Sequence, residues 1–568
     1  MIIIERAQNS DVELSSSSLL NRVLQRRQLN SLSDCSFSLK DLLSPSSLQG
    51  CENAAVIIAN AITTQKKILI VGDYDVDGAT STALMMRVLK LFGAEHTAYR
   101  IPNRMLDGYG LTVSLLDSIL DNQPDLIITV DNGISSIDAI AKAKEYGINV
   151  VVTDHHLPGD ILPVADAIVN PNLKNSEFES SALCGVGVAF YTLLAVRREL
   201  INQGYFTAQT PPNLADYLDL VALGTIADLV PLDRNNRCLV QQGIERIRRG
   251  RTVAGIQALL EVSSKNQVEL STTDLGFSIS PLLNAAGRLD DMRVGIECLL
   301  TDSEDRARYY AQRLYDFNQE RKAIERSMTQ ETEQILAKVI LKDDELPDGI
   351  ALYDPSWHQG VIGIVASRVK ERFNKPTFIF AEENDDLLKG SGRSITGIHL
   401  RDLLDSIAKE YPNMILQFGG HAMAAGLTLR KSEFSQFQMA LNQRVEALIQ
   451  YVDPKMIYTD GALSIEDFTI NNAEVLRTAM PWGQTFPEPA FDNTFNVVDA
   501  KILQNTHLKL ELKHPESNFT ISGIAFFKAK DWREGTEQVR CIYKLDVNEW
   551  RGRRSLQLLI DHIEIESK

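Results

Sequence analysis

Residues 67–93 read KILIVGDYDVDGATSTALMMRVLKLFG. A short apolar run (68–71) enters an acidic turn, and an amphipathic stretch predicts a helix over 79–93. The texture repeats outward. LIITV (126–130) runs into Asp131-Asn132-Gly133 and then the helix-like SSIDAIAKAKEYG (135–147), while NVVVT (149–153) runs into Asp154-His155-His156. Apolar β-branched runs alternating with amphipathic segments predict βαβ units, hence an α/β domain whose parallel sheet is covered on both faces. In open parallel sheets ligands bind beyond the carboxyl ends of the strands, so the three polar clusters are predicted to converge.

Asp73, Asp75 and Asp77 are spaced by two, and an extended backbone would point all three the same way. Adding Asp131 and Asp154 would crowd like charges, which raises carboxylate pKa values or demands a cation. Oxygen donors with one or two imidazoles suit Mn2+ or Mg2+, and the absence of thiolates argues against structural zinc. A single Asp at a strand end is ordinarily a helix cap or turn former. Capping requires neither D-x-D-x-D nor D-H-H after a buried strand.

The chain has 568 residues, enough for three or four domains, and 44% hydrophobic with 23% charged residues excludes a disordered or fibrous protein. A net charge of −17 repels polyanions at long range, so a nucleic acid would have to meet a local basic groove or bound cations. No apolar run is long enough to span a bilayer, and the N-terminus lacks a signal pattern, so a cytoplasmic protein is expected. The six cysteines are scattered without C-x-x-C and read as reduced core thiols. Residues 1–50 are Ser-rich and read as an irregular segment with short helices. Residues 51–300 form the first α/β domain. No Gly or Pro interrupts 296–346, where Tyr310, Leu314, Phe317, Ile324, Met328 and Ile335 trace the stripe of one long connector helix (301–345). A βα pattern resumes over 346–450, and period-two segments over 451–568 predict a small antiparallel β-barrel.

VGDYDVDGAT (71–80), VDNG (130–133), TDHH (153–156) and GTIADLVPL (224–232) together resemble the signatures of the DHH phosphoesterase superfamily. PNRMLDGYGL (102–111), NAAGRL (284–289), WHQGVIGIVASR (357–368), GSGRS (390–394), GGHAMAAG (419–426) and PWGQTFPEP (481–489) extend the resemblance to its branch that degrades single-stranded DNA from the 5′ end. It covers nearly everything after residue 50. The resemblance implies a DHH domain, a DHH-associated domain and an OB-like barrel, with two-metal phosphodiester hydrolysis in DNA repair and recombination. It assigns Asp131 as the bridge between two ions, Asp75 to the first, and Asp77, His155 and Asp228 to the second, with Asp73 a ligand or an outer partner. Asp154 would orient the neighbouring histidine, and His156 would face the phosphate. Arg104, Arg288, Ser391 and Arg393 are candidates for the terminal 5′-phosphate, Gly390 and Gly392 letting backbone amides approach. Gly420 and His421 would lie where a nucleic-acid backbone passes, or else form a tight helix-packing turn around a buried histidine. Trp357 is read as core, IRRGR (247–251) as solvated surface, and Lys509, Lys513, Lys528 and Lys530 as charge on the barrel. A cleft between the two α/β domains would exclude duplex DNA. A single-strand-binding protein, a RecQ-type helicase and a monomeric state are inherited expectations. The alternatives are a DHH phosphodiesterase for short oligonucleotides or cyclic dinucleotides, and a non-catalytic DNA-binding replication scaffold of the same superfamily.

Overall fold

A computed structural model describes residues 2–103, 108–121, 123–207, 210–343, 345–453, 456–504, 506–550 and 552–565. The chain divides into two compact units, one built from Ile3–Gly287, Asp291–Leu314 and Ile457–Lys568, the other mainly from Tyr315–Met456 with Arg288–Asp290.

In the first unit the apolar runs form a five-stranded parallel sheet in the order Thr97–Arg100, Ile68–Val71, Leu126–Val130, Asn149–Thr153, Ala167–Val169. Ile68–Val71 and Leu126–Val130 are buried along their whole length, as strands sandwiched between helix layers must be. Chain order reverses between these two neighbours. That is the switch point where a crevice opens at the carboxyl edge.

The same unit carries a closed five-stranded barrel, ordered Phe491–Leu503, His507–Lys513, Thr520–Ala525, Arg553–Ile565, Gln538–Trp550. Thr520–Ala525 pairs in parallel with Arg553–Ile565, the one parallel junction of an otherwise antiparallel barrel. The segment before residue 50 is more regular than its serine content suggests, with a strand at Ile2–Glu5 and a helix at Ser18–Gln25. It is tied to the chain ahead of the barrel by Arg27, which bonds both oxygens of Asp460 at 2.7 and 2.8 Å.

The predicted connector is one uninterrupted helix, Glu304–Asp343, of 40 residues. Its buried stripe is Ala307, Ala311, Leu314, Asn318, Met328, Thr332 and Leu336. The turns with Asn318 and Thr332 satisfy their polar atoms locally, through Arg321 and the Met328 carbonyl. An apolar-only pattern therefore traced the stripe incompletely.

In the second unit a mixed sheet is ordered Ile415–Gly420, Ala424–Arg430, Leu387–Arg393, Thr377–Glu382, Ile350–Tyr353. Its core is aromatic: Phe378, Phe380 and Phe437 pack together against Leu403, Leu404 and Leu441. All six cysteines are free thiols, five of them buried. Among the described residues no helix is long and apolar enough to cross a membrane.

Candidate metal centre

Each acidic side chain reaches the crevice by a local device. The helix Val76–Leu91 starts earlier than its apolar pattern suggests, so Asp75 is its N-cap, with Oδ1 accepting from the Gly78 amide at 3.0 Å. Asp77 therefore sits in the first helical turn and not in the extended alternation expected from D-x-D-x-D. Both its oxygens accept from the N-terminus of the helix Gly185–Asn202, at 2.6 Å from the Gly185 amide and 2.8 Å from Val186. Those amides and the helix dipole favour a carboxylate there.

Asp131 leaves its strand in the left-handed region, φ 61°. For a residue with a side chain this costs about 1–3 kcal/mol, the kind of strain that persists where surrounding structure imposes it. Here the buried Asn132 imposes it, donating to the main-chain carbonyls of Val71 and Val130 at 3.0 and 2.9 Å. A Cβ on Gly185 would lie 2.5 Å from that of Asp131, so only glycine fits beside it. Asp228 caps the C-terminus of the helix Leu218–Ala227, as a polar helix-end residue would, yet its carboxylate also reaches the crevice.

Candidate ligand atoms gather in three overlapping groups: Asp73, Asp75 and Asp131; Asp77, His155 and Asp228; and Asp131, His155 and His156, all within 4.8 Å of one another in each group. His155 Nε2 lies 3.1 Å from Asp131 Oδ1, 3.5 Å from Asp228 Oδ2 and 3.9 Å from Asp77 Oδ2. Burial, then the charge of Asp75, pushes Asp77 up to about 7. Burial and the neighbouring carboxylates, Asp77 first, hold Asp131 and Asp228 well above the usual range. Asp131 Oδ1 is buried and makes no hydrogen bond. Crowded carboxylates around an imidazole, with one buried oxygen left without a donor, fit divalent cations of the hard, oxygen-seeking kind.

Asp154 is buried in a different role. It accepts from the amides of Ile134, His155 and His156, and its Oδ1 lies 2.7 Å from His156 Nδ1. Of the two histidines it is thus His156, not the expected ligand His155, whose ring Asp154 turns. Burial disfavours the His156 imidazolium, but the hydrogen bond and charge of Asp154 outweigh it and lift its pKa to about 9. Burial likewise pushes Asp154 up, and His156 brings it below the ordinary range. Asn170 and Asn172 donate to the carbonyls of His156 and His155 at 2.9 and 2.6 Å. These asparagines, Asn132, and Tyr109, whose hydroxyl lies 3.2 Å from both His156 ring nitrogens, carried no periodic signal in the sequence.

In the second unit Ser391 and Arg393 share a face of the strand Leu387–Arg393, with Arg393 Nη1 3.2 Å from Ser391 Oγ. Both stand over the first turn of the helix Ile362–Phe373: a Cβ on Gly363 would lie 2.9 Å from Ser391 Oγ and 3.0 Å from Arg393 Nη2. Gly390 and Gly392 alternate to the buried face. A Cβ there would strike the rings of Phe380 and Phe378 at 2.3 and 2.2 Å, so aromatic packing excludes side chains at both positions. Arg288 Nη1 donates to the Gly360 carbonyl at 3.2 Å in the same unit. Arg104 lies outside the described residues.

GGHAMAAG is a β-hairpin, not a helix-packing turn, and His421 is exposed at its tip with Gly420 at φ 139°. Trp357 is core, its indole donating to Glu331 at 2.8 Å. In IRRGR, Arg248 bonds the Leu270 and Thr478 carbonyls and Arg249 pairs with Glu245. On the barrel Lys509 is exposed and Lys513 half-buried, and exposed Phe526 and Phe527 flank His507, a surface the lysine count did not reveal.

Family models match in three places: the DHH family N-terminal domain over 67–225, the DHHA1 domain over 346–447 and the RecJ OB domain over 459–562. The chain is 47% identical over 553 residues to the single-stranded-DNA-specific exonuclease RecJ of Salmonella typhimurium, covering 96% of this chain and 95% of that one. It belongs to the RecJ family. RecJ of Escherichia coli is also 47% identical, over the same shares of both chains. A solved RecJ from Thermus thermophilus in complex with Mn2+ superposes with a TM-score of 0.80 at 28% identity, covering all of this chain and 80% of that one. A Mg2+ complex of RecJ from the same organism gives a TM-score of 0.74 at 27% identity, covering all of this chain and 78% of that one.

Proposed function

We propose that the chain is a metal-dependent exonuclease that hydrolyses single-stranded DNA from the 5′ end and releases mononucleotides. The observation that carries this is the convergence of two carboxylate-rich ligand groups at the switch point, in a chain that matches RecJ relatives almost end to end. The donor set suits two Mn2+ or Mg2+ ions. Asp73 and Asp75 would hold one, Asp77, His155 and Asp228 the other, with Asp131 between them. When bound, such ions activate water and neutralise charge on the phosphoryl oxygens.

The chain's own residues do the rest. The Gly185 and Val186 amides hold Asp77 in place as a ligand, and Asn132 holds the strained turn that aims Asp131. Asp154 fixes the His156 ring, which serves as donor to the phosphoryl oxygen or proton carrier to the leaving group. Arg393, Ser391 and Arg288, with the amides of the turn that starts at Ile362, offer the fork geometry and positive end that a terminal phosphate requires. Gly420 and His421 sit on an open hairpin that a DNA backbone can approach. Phosphate contacts of this kind carry no base preference. Single-strand-binding protein, a RecQ-type helicase and a monomeric state belong to the same proposal on resemblance alone.

The test is an oligonucleotide labelled at either end, single-stranded or duplexed, incubated with manganese and the protein or its Asp131→Ala variant. Release of 5′ mononucleotides from single strands only, lost in the variant, is the expected result. Binding without cleavage would point to a scaffold, and hydrolysis of dinucleotides alone to a short-oligonucleotide phosphodiesterase.

A further inference from the structure

Tyr109 is 39% exposed, yet its hydroxyl is closely engaged. It donates to the main-chain carbonyl of Asp131 at 3.1 Å and lies 3.2 Å from both His156 nitrogens. The Tyr109 ring meets the His156 ring at 80° and 5.6 Å, and Tyr74 braces it at 83° and 6.2 Å. The turn that carries it is made for this approach. Gly108 and Gly110 take φ 81° and 66°, and a Cβ on Gly110 would come within 3.2 Å of the Asn132 side chain. Asn132 is the residue that holds Asp131 in its strained conformation.

We propose that Tyr109 is a positioning residue for His156. Its hydroxyl, anchored on the backbone carbonyl of the residue placed between the two ions, lies against the imidazole that Asp154 already turns and limits its movement. The phosphate-facing group and the metal bridge are thereby held in one frame. This rests on the exonuclease assignment above and extends it to a residue outside the three candidate ligand groups. Loss of a single fastening hydroxyl leaves substrate binding intact and loosens the reacting geometry, so it acts on kcat and not on KM.

The experiment is a double-mutant cycle with 5′-phosphorylated single-stranded DNA and saturating manganese, comparing wild type, Tyr109→Phe, His156→Ala and the double variant. Tyr109→Phe keeps the ring against Tyr74, so folding is preserved and is checked by thermal melting. The expected result is a roughly tenfold lower kcat for Tyr109→Phe with KM unchanged. The double variant should then be no slower than His156→Ala alone, because residues acting as a unit are non-additive. Wild-type kinetics in Tyr109→Phe, or a further tenfold loss in the double variant, would overturn the proposal while leaving the exonuclease intact. An inert wild-type protein would instead remove the exonuclease assignment, and this role with it.

Discussion

The acidic turn 73–77 and the glycine-serine-glycine-arginine run 390–393 look alike in sequence, each a short motif of charge and small residues beside a strand, but different forces place their residues. At the acidic turn carboxylates are buried against one another, an arrangement the fold alone does not reward, since burial and mutual repulsion raise Asp77, Asp131 and Asp228. In 390–393 the glycines are demanded by the fold itself, because Phe378 and Phe380 occupy the space a side chain would need. The alternate positions, Ser391 and Arg393, carry their side chains on the opposite face of the strand. Charge buried at an energetic cost marks chemistry more securely than glycine does.

This contrast can be broken most sharply at Asp131. Asp131→Ala is expected to lower manganese-dependent kcat by about a thousandfold or more, with no fall in the melting temperature of the metal-free protein. Steady-state kinetics beside a thermal melt measure both. Next comes Arg393→Ala, which removes a charged hydrogen-bond donor worth about 1.5–3 kcal/mol. It should lower kcat/KM about ten- to a hundredfold on a 5′-phosphorylated strand and much less on a 5′-hydroxyl strand. Gly392→Ala should cost about 1–3 kcal/mol of stability through overpacking, read by urea unfolding. Gly426→Ala, whose Cβ would meet nothing nearer than the Gly390 carbonyl at 3.7 Å, should stay within about 0.5 kcal/mol.

A pH dependence sharpens the comparison from the acidic side. Asp77 at about 7 in the metal-free fold binds its proton more tightly than the unfolded chain, where an Asp titrates near ~3.9. Its stabilising contribution is full below the unfolded value and is lost as pH rises through about 7. Metal-free protein should therefore melt progressively lower between those limits, and manganese, which binds the deprotonated carboxylates, should reverse the trend.

The parallel sheet, the long helix and the barrel were legible because strand and helix periods survive in the sequence wherever one face is buried. The candidate acidic ligands that gather in the crevice were legible as strand-end clusters, although Asp228 needed the family pattern, since a polar residue ending a helix has an ordinary explanation. What stayed hidden depends on tertiary proximity. Tyr109 and Asn170 reach His156 from loops without periodicity, and the partner of Asp154 turned out to be the second histidine because the first points its Nε2 at Asp131. That packing requires glycine at 390 and 392 could not be read until Phe378 and Phe380 were seen across the sheet.

The most direct test of the central claim is an anomalous-difference map from crystals of the protein grown with manganese. Two peaks are predicted, one among Asp73, Asp75 and Asp131 and one among Asp77, His155 and Asp228, with Asp131 contacting both. A map with no peak in this crevice at saturating manganese, or with manganese bound only elsewhere, would contradict the account.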